Sequence, residues 1–208
     1  MSAPKTRIAV LVSGGGTNLQ ALIDAEKSGI IRSGEIVLVL SNNRNAYALQ
    51  RAYNSHIPTA IITKAAYGGD REAFERAMID VLRKSGAELI VLAGFMSILG
   101  KNFIDAFRDR IINVHPALIL SFCGEGFYGL KVHEAALAYG VKVTGATVHF
   151  VNEIPDGGKI IAQKSVKVRE GDTPETLQRR VMEQAEWKIL PAAAELISKR
   201  IMKSKRKL

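Results

Sequence analysis

The segment Arg110–Pro116 (RIINVHP) carries an amide and an imidazole in an arrangement that suits acyl chemistry. In a strand, residues two apart share a face, so Asn113 and His115 are expected to project together, with the intervening valine on the opposite side. The amide can donate a hydrogen bond to an oxygen that becomes anionic, and the imidazole can supply charge or move a proton. The same pair is also compatible with an ordinary hydrogen-bonded structure at the end of a strand.

A third candidate is Asp156, which lies in the segment Ile154–Gly158 (IPDGG). An aspartate before glycine is ordinarily a turn former. A carboxylate near the imidazole of His115 would instead orient the ring and raise its pKa, which favours the cation. Both interpretations stay open, because the sequence does not show whether the two side chains meet.

A glycine-rich segment, Ser13–Leu19 (SGGGTNL), follows an apolar run and precedes a helical pattern. Backbone N–H groups at a helix N-terminus form an anion site, and small residues let a phosphate approach closely. The Gly-Lys-Ser/Thr signature of nucleoside triphosphatases is absent, and Leu19 occupies the third glycine position of the dinucleotide fingerprint. The segment therefore predicts a monophosphate site, with a strand-to-helix turn that binds nothing as the alternative.

The other histidines and the single cysteine give weaker signals. They lack zinc-finger spacing and only one thiol is present, so no metal site is expected. Cys123 could be a nucleophile, but an inert loop position is its more ordinary role. His149 fits a hydrogen-bonded sheet histidine as well as a site residue. The absence of Gly-x-Ser-x-Gly gives no support to a serine hydrolase.

The elements that must position these residues alternate between strand and helix patterns. The predicted strands are Arg7–Ser13, Glu35–Leu40, Thr59–Ile62, Glu88–Ala93 and Arg110–Val114, and the helices between them are Thr17–Lys27, Ala46–Tyr53 and Asp70–Lys84. Lys142–Val151 and Lys159–Val168 predict an antiparallel pair. A last helix is expected to begin after Thr173 and to kink or split at Pro191. The predicted fold class is α/β: a Rossmann-like, mainly parallel sheet with helices on both faces, ending in antiparallel strands and a C-terminal helix.

Length and composition exclude several classes of protein. The chain has 208 residues, of which 47% are hydrophobic and 24% charged, as expected for a single globular domain over 1–208 rather than a disordered chain. No apolar run approaches the ~18 residues that a membrane span needs. A lone cysteine excludes a disulfide-built module. The apolar run Ile8–Val12 is too short for a signal-peptide core, so a cytoplasmic location is expected.

The formal net charge of +9 is concentrated at the C-terminus. Six of the 29 Lys and Arg residues lie in 199–208, and the remaining 198 residues hold 23 basic and 20 acidic side chains. A basic tail can attract nucleic acid non-specifically, but a solvated, frayed end is the commoner role. An aromatic content of 6% offers no stacking platform. We therefore expect no specific nucleic-acid partner and no membrane partner, and the sequence does not indicate the oligomeric state.

Four segments, in this order and spacing, carry a resemblance to a known family. They are Ser13–Gln20 (SGGGTNLQ), Leu92–Leu99 (LAGFMSIL), Asn113–Pro116 (NVHP) and Asp156–Gly158 (DGG). The chain resembles the phosphoribosylglycinamide formyltransferases, the folate-dependent glycinamide ribonucleotide transformylases, from Ile8 to about Leu196. The resemblance implies transfer of a formyl group from 10-formyltetrahydrofolate to the amine of 5-phosphoribosylglycinamide in de novo purine biosynthesis.

The resemblance also implies roles for individual residues. Those that bind phosphoribosylglycinamide are Gly15, Gly16, Thr17, Asn18, Leu19, Gln20 and Glu186. Those that bind the folate are Arg71, Met96, Ser97, Ile98, Leu99, Asn113 and Ile154. The catalytic residues are Asn113 and a protonated His115, which stabilise the oxyanion after direct amine attack, and Asp156, which orients and charges His115. No metal is implied, and the co-substrate is 10-formyltetrahydrofolate. Residues 1–100 form a phosphate-binding half, 101–198 a catalytic and folate-binding half, and 199–208 a basic tail.

Several alternatives and departures remain. A formyltetrahydrofolate hydrolase shares this core but carries an added N-terminal domain, for which a first strand at Arg7 leaves no room. Methionyl-tRNA formyltransferases add a C-terminal barrel that this sequence lacks. A non-catalytic nucleotide-binding module would keep the glycine loop without needing the three catalytic side chains.

The sequence departs from the family pattern at several positions. Ser97 stands where the family often has Arg, Leu120 replaces a common proline, and Ser121–Leu130 is a variant loop. Relative to the family, this sequence has one extra residue before Pro191.

Overall fold

Seven strands form one mixed sheet in the computed structural model of the protein, which describes residues 4–205. The strands are β1 (Thr6–Val12), β2 (Gly34–Ser41), β3 (Thr59–Ile61), β4 (Leu89–Leu92), β5 (Ile111–His115), β6 (Val143–Phe150) and β7 (Ile160–Lys167). Their spatial order is β3-β2-β1-β4-β5-β6-β7. Pairing is parallel from β3 to β5 and antiparallel from β5 to β7, which confirms the predicted fold class.

Seven α-helices lie in the described part of the chain. They are α1 (Thr17–Lys27), α2 (Tyr47–Asn54), α3 (Arg71–Lys84), α4 (Lys101–Ala106), α5 (Leu130–Tyr139), α6 (Pro174–Val181) and α7 (Trp187–Lys205). A 3₁₀ turn at Lys64–Tyr67 precedes α3, and a π-helical segment, Met182–Glu186, joins α6 to α7. All elements that the sequence predicts are present, with ends that differ from the prediction by at most one residue.

The helices α4 and α5 have no counterpart in the sequence prediction. α4 has only six residues, fewer than two turns, so its apolar spacing gives no helical period. In α5, apolar residues are spread around the helix, and its buried residues are Val132, His133 and Ala136. Tertiary packing rather than an amphipathic pattern stabilises these two helices.

Strand β1 shows why helices cover both faces of the sheet. Ile8, Val10 and Val12 pack into one core, which includes residues of α1 and α7. Ala9 and Leu11 point the other way, into a second core that includes residues of α3 and α4. A strand buried on both faces reads as a continuous apolar run, as β1 does.

The sheet order brings three loop segments to one edge. β1, β4 and β5 are neighbours, so the segments after their carboxyl ends are adjacent: the glycine loop, the segment from Ala93 to Leu99, and the end of β5 at His115. Ligands of open α/β sheets bind at this edge. The first three of the four family-like segments therefore meet because of strand order.

The end of the chain differs from the prediction at Pro191. The helix α6 begins as expected, with a capping box between Thr173 and Thr176 and Pro174 in its first turn. The expected split at Pro191 is wrong, because α7 runs through that position and the irregular turn comes earlier, at Met182–Glu186. The expected kink at Pro191 stays a prediction. The carbonyl that Pro191 leaves without a partner belongs to Trp187, the first residue of α7, so only the first turn loses a bond.

The predicted basic tail is helical as far as the structure describes it. Residues 199–205 belong to α7, and Lys205 Nζ lies 2.6 Å from Glu88 Oε2. Residues 206–208 lie outside the described residues. Among residues 4–205, no helix is both long and apolar enough to cross a membrane.

Candidate functional site

A cavity of about 860 Å³ opens at the carboxyl ends of β4 and β5. Its walls combine the segment after β4, the end of β5, the loops before α5 and after β6, and side chains from α1, α6 and the π-helical segment. A second cavity, of about 410 Å³, lies over the glycine loop Ser13–Asn18. The two cavities share Asn18, Gly94, Met96 and Gln178 in their walls and form one cleft.

The structure brings the three predicted catalytic side chains to the wall of the larger cavity. β5 places Asn113 and His115 on one side of the sheet, while Val114 packs into the core on the other. Asp156 Oδ2 lies 3.4 Å from His115 Nδ1. Asp156 adopts a φ of 55°, a conformation that Asp tolerates in turns. The residue is therefore both a turn former and the neighbour of the imidazole.

His149 is a site residue that the sequence left undecided. It lies directly opposite Asn113 in the antiparallel pairing of β5 and β6. Its Nε2 is 3.3 Å from Asn113 Nδ2 and 3.5 Å from Asp156 Oδ1, and its Nδ1 is 2.7 Å from the Phe150 carbonyl. A neutral ring that donates from Nδ1 leaves Nε2 to accept from the Asn113 amide. The alternating pattern of β6 was visible in the sequence, but the register that pairs His149 with Asn113 was not.

The carboxyl group of Asp156 is ionised at neutral pH. Burial raises its pKa, but the neighbouring His149 and His115 and the hydrogen bond from the Gly124 N–H together lower it below 3.8. A fixed negative charge therefore faces both imidazoles. This is the arrangement that favours a cationic ring in its neighbours.

For His115, burial opposes the effect of its carboxylate neighbour. Burial lowers its pKa, and the Asp156 carboxylate and the Phe122 carbonyl raise it only in part, so the pKa lies below 6.5. The carboxylate therefore acts with the predicted sign, and desolvation is the larger effect in this structure. A protonated His115 during the reaction stays a prediction.

The variant loop Ser121–Leu130 is joined to His115 and Asp156 by two hydrogen bonds. His115 Nε2 lies 2.8 Å from the Phe122 carbonyl oxygen, and the Gly124 N–H donates to Asp156 Oδ2 at 3.0 Å. The carbonyl can only accept, so Nε2 carries a proton. The loop therefore occupies the His115 nitrogen that points away from Asp156.

Two further polar side chains lie near this centre. His133 is fully buried in the wall of the cavity, and neither ring nitrogen has a hydrogen-bond partner among residues 4–205. Burial, and secondarily His115, lowers its pKa to about 4, so it is neutral. For Cys123, burial and then the Asp156 charge raise the thiol pKa, so the thiol stays protonated at neutral pH. A protonated thiol does not suit a nucleophile.

Residues 4–205 contain no group of three or more His, Cys, Asp or Glu side chains placed to hold a metal ion.

The glycine loop presents free N–H groups to the smaller cavity. The first intrahelical bond of α1 runs from the Gln20 N–H to the Gly16 carbonyl, so the N–H groups of residues 17–19 have no partner within the helix. Gly16 has a φ of 71°, and a Cβ there would lie 2.6 Å from the Cβ of Ala48. Only glycine fits this turn, and it leaves the helix N-terminus open to an anion.

Of the residues predicted to bind phosphoribosylglycinamide near the glycine loop, some line the smaller cavity and others do not. Gly15, Gly16, Thr17 and Asn18 line the smaller cavity. Leu19 is buried in the core, and the side chain of Gln20 bonds to Asp24 and Arg51, so neither side chain lines a cavity. Arg51, which the sequence analysis missed, donates from Nε to the Gly15 carbonyl at 2.8 Å. Its guanidinium adds positive charge beside the loop.

Glu186 lies in the π-helical segment and reaches the same end of the cleft. Asn18 Nδ2 donates to Glu186 Oε2 at 2.6 Å, and Asn18 Oδ1 is buried without a partner among the described residues. Burial raises the pKa of Glu186 to about 7, although the bond from Asn18 lowers it in part. A half-ionised carboxyl group that lines a cavity can accept from or donate to a hydroxyl group.

The raised pKa of Glu186 predicts that folding stability falls as pH rises. Between pH 4.5 and 7 the folded protein keeps a proton that the unfolded chain has lost, so the free energy of unfolding decreases by about 3 kcal/mol across this window. Glu186→Gln is expected to remove this decrease, and its advantage over the wild type should grow from pH 5 to pH 8. Urea midpoints at each pH measure the effect. Glu183→Gln, on the same segment but exposed, is the control, and parallel slopes for the wild type and Glu186→Gln would contradict the prediction.

The other end of the cleft has an apolar wall. Met96, Ile98 and Ile154 line the larger cavity with large exposed surfaces, and Leu99 is mostly buried beneath them. Ser97 also lines it, and its Oγ accepts from Asn42 Nδ2 at 2.8 Å. Such a surface suits a flat, largely apolar ligand.

Arg71 does not lie in the wall of either cavity. Its Nε pairs with Glu75 Oε1 at 2.9 Å, and its Nη2 donates to the Ile98 carbonyl at 3.2 Å. The guanidinium therefore supports the segment Met96–Leu99 from the side of α3. Half of the side chain remains exposed beside that segment.

Comparisons with known proteins agree with this geometry. The family model described as formyl transferase matches residues 6–194. The chain is 45% identical over 194 residues, or 93% of its length, to the trifunctional purine biosynthetic protein adenosine-3 of Gallus gallus, and 38% identical over 178 residues, or 86%, to the chloroplastic phosphoribosylglycinamide formyltransferase of Arabidopsis thaliana. It spans only 18% and 61% of those two proteins.

A solved structure matches over the whole fold. The crystal structure of glycinamide ribonucleotide transformylase 1 from Symbiobacterium toebii superposes with a TM-score of 0.87 and 41% identity. The match covers 94% of this chain and 88% of that one. With a family model spanning nearly all of the described sheet and helices, the chain belongs to the formyl transferase family.

Proposed function

We propose that the protein transfers a formyl group from 10-formyltetrahydrofolate to the amine of 5-phosphoribosylglycinamide, a step of de novo purine biosynthesis. The observation that carries the proposal is the meeting of Asn113, His115 and Asp156 in one wall of the cleft, which continues to an open helix N-terminus. Two of the relatives above are named for formyl transfer to this acceptor, as phosphoribosylglycinamide formyltransferase and glycinamide ribonucleotide transformylase, and the third is named for purine biosynthesis. A reaction between two small-molecule substrates also fits the cytoplasmic location that the sequence predicts.

In this proposal the acceptor binds at the glycine-loop end of the cleft. Its phosphate accepts from the free N–H groups at the start of α1, with Arg51 adding positive charge nearby. Its ribose hydroxyl groups bond to Glu186, whose partner Asn18 holds the carboxyl group in place. These contacts direct the glycinamide amine along the cleft towards Asn113.

The formyl donor binds at the apolar end. Its flat pteridine ring packs between the segment Met96–Leu99 and the loop that carries Ile154. The exposed part of Arg71 lies beside this segment, where it can meet a carboxylate of the donor. The two ligands thus approach the catalytic side chains from opposite ends.

The reaction needs no enzyme nucleophile. The amine nitrogen attacks the formyl carbon, and the C=O bond electrons move to the oxygen. One amide N–H of Asn113 is directed to His149, and the other can donate to this oxyanion. The oxyanion then re-forms the C=O bond as the C–N bond to the folate breaks, the amine proton moves through water to the folate nitrogen, and tetrahydrofolate leaves.

His115 acts in the same step once its loop contact is released. Its Nε2 faces the Phe122 carbonyl, while Nδ1 faces Asp156. Donation from Nε2 to the oxyanion therefore requires the Phe122 carbonyl to move away. The Asp156 carboxylate next to Nδ1 stabilises the cation as negative charge develops on the substrate oxygen.

The test combines the purified protein with 10-formyltetrahydrofolate, with and without phosphoribosylglycinamide, and follows tetrahydrofolate production. We expect product only when the acceptor is present. Equal rates with and without the acceptor, accompanied by formate, would identify a hydrolase instead. Ligand binding without any turnover would identify a non-catalytic nucleotide-binding module.

A further inference from the structure

Glu75 is a buried acidic side chain that no step of the proposed reaction uses. It lies on α3, and only 4% of the residue is exposed. Its Oε1 accepts two hydrogen bonds, one from Arg71 Nε at 2.9 Å and one from the Gly100 N–H at 2.7 Å. One carboxylate oxygen thus joins α3 to the residue that follows the segment Met96–Leu99.

The same side chain holds that segment at a second point through Arg71. The guanidinium that pairs with Glu75 also donates from Nη2 to the Ile98 carbonyl. The segment is therefore tied to α3 at Ile98 and at Gly100, on either side of Leu99. Its exposed side chains, those of Met96 and Ile98, face the cavity.

The contact at Gly100 is close enough that a larger residue would displace the carboxylate of Glu75. A Cβ at this position would lie 2.8 Å from Glu75 Oε2 and 3.0 Å from Oε1. Gly100 has a φ of −86°, which any residue can adopt, so the close approach of the carboxylate is what favours glycine here.

Fold stability is a weak reason for a buried carboxylate at this position. Desolvation makes a buried ion pair costly, and well-packed apolar side chains often stabilise a fold at least as well. The carboxylate fixes the positions of the Gly100 N–H and the Arg71 guanidinium, and through Arg71 that of the Ile98 carbonyl. These groups belong to the wall of the cavity or lie beside it, and not to the interior of α3.

We propose that Glu75 is a positioning residue for the donor end of the cleft: it sets the conformation of Met96–Leu99 and the direction of Arg71, and thereby the affinity for the formyl donor. The inference rests on the proposed function and assigns a role to a residue that contacts neither substrate. Its effect should appear in the KM for the donor and not in the KM for the acceptor.

The test compares three variants. Glu75→Gln keeps an acceptor for Gly100 but loses the ion pair, and Gly100→Ala pushes the carboxylate away from the other side. Both are expected to raise the KM for 10-formyltetrahydrofolate on the order of tenfold, which is the effect expected from losing one hydrogen bond to a charged group. The KM for phosphoribosylglycinamide and kcat should stay unchanged. Glu72→Gln, an exposed glutamate on the same helix that pairs with Arg76, is the control.

A purely structural role predicts a different result. It would lower the urea midpoint of Glu75→Gln and Gly100→Ala and leave the donor KM at the wild-type value, which would overturn the inference. Calorimetric titration with 10-formyltetrahydrofolate separates this inference from the proposed function. Weaker donor binding by both variants supports the role of Glu75 even if the wild type transfers no formyl group, whereas equal donor binding by the wild type and both variants rejects it.

Discussion

Replacement of Asn113 by alanine is expected to lower kcat by ~10²–10³, because it removes a fixed hydrogen-bond donor to the oxyanion. His115→Ala is expected to cause a loss of similar size, because it removes the second group that faces the developing charge. In both variants the KM values for donor and acceptor should change little, since these groups act mainly in the transition state. Steady-state kinetics with both substrates varied measure the two effects.

The fold should survive both replacements. Asn113 is only partly buried and contacts His149 through one side-chain bond, and His115 contacts the loop at Phe122 and the carboxylate of Asp156. Circular dichroism and urea midpoints check this point. His56→Ala, at an exposed loop position, is the matched control and should keep wild-type kcat. Near-normal kcat in Asn113→Ala or His115→Ala would remove that residue from the proposed mechanism.

Asp156→Asn is expected to lower kcat on the order of 10² at neutral pH, within the range of acid–base contributions from one positioned side chain. The amide keeps the size of the side chain and can still accept from the Gly124 N–H. It loses the negative charge that raises the pKa of His115, against the larger opposing effect of burial. The cationic ring that the oxyanion needs becomes harder to form.

The pH profile tests the electrostatic part of this prediction. Loss of the Asp156 charge lowers the pKa of His115 further, so the descending limb of kcat should move to lower pH in Asp156→Asn. The ratio of wild-type to variant kcat should therefore be smaller at pH 5.5 than at pH 8. Asp109→Asn, an exposed aspartate that also has a positive φ, is the control for the turn conformation. A constant ratio across this range would leave only a steric role for Asp156.

Local sequence patterns determined much of the fold. The apolar run of β1 is buried on both faces, and the glycines after it open α1 at the predicted residue. Thr173 and Pro174 marked the start of α6, because capping depends on a few adjacent residues. Asn113 and His115 share a side for the same local reason, the two-residue period of a strand.

The tertiary structure alone decided which distant residues meet. Asp156 reaches His115 across 40 positions of the chain, His149 reaches Asn113 through strand register, and the Phe122 carbonyl occupies His115 Nε2. The charge state of His115 likewise depends on burial, a property of the whole packed site, which opposes the effect of its carboxylate neighbour. In the sequence, Glu75 looks like any other acidic residue on the surface of a helix. Only the packing of α3 against the segment after β4 shows that it accepts hydrogen bonds from Arg71 and Gly100 near the cavity wall. Hydrogen bonds and desolvation act over a few ångströms in space. Sequence spacing therefore predicts which side chains of a strand or turn point the same way, but not which residues from other parts of the chain they will contact.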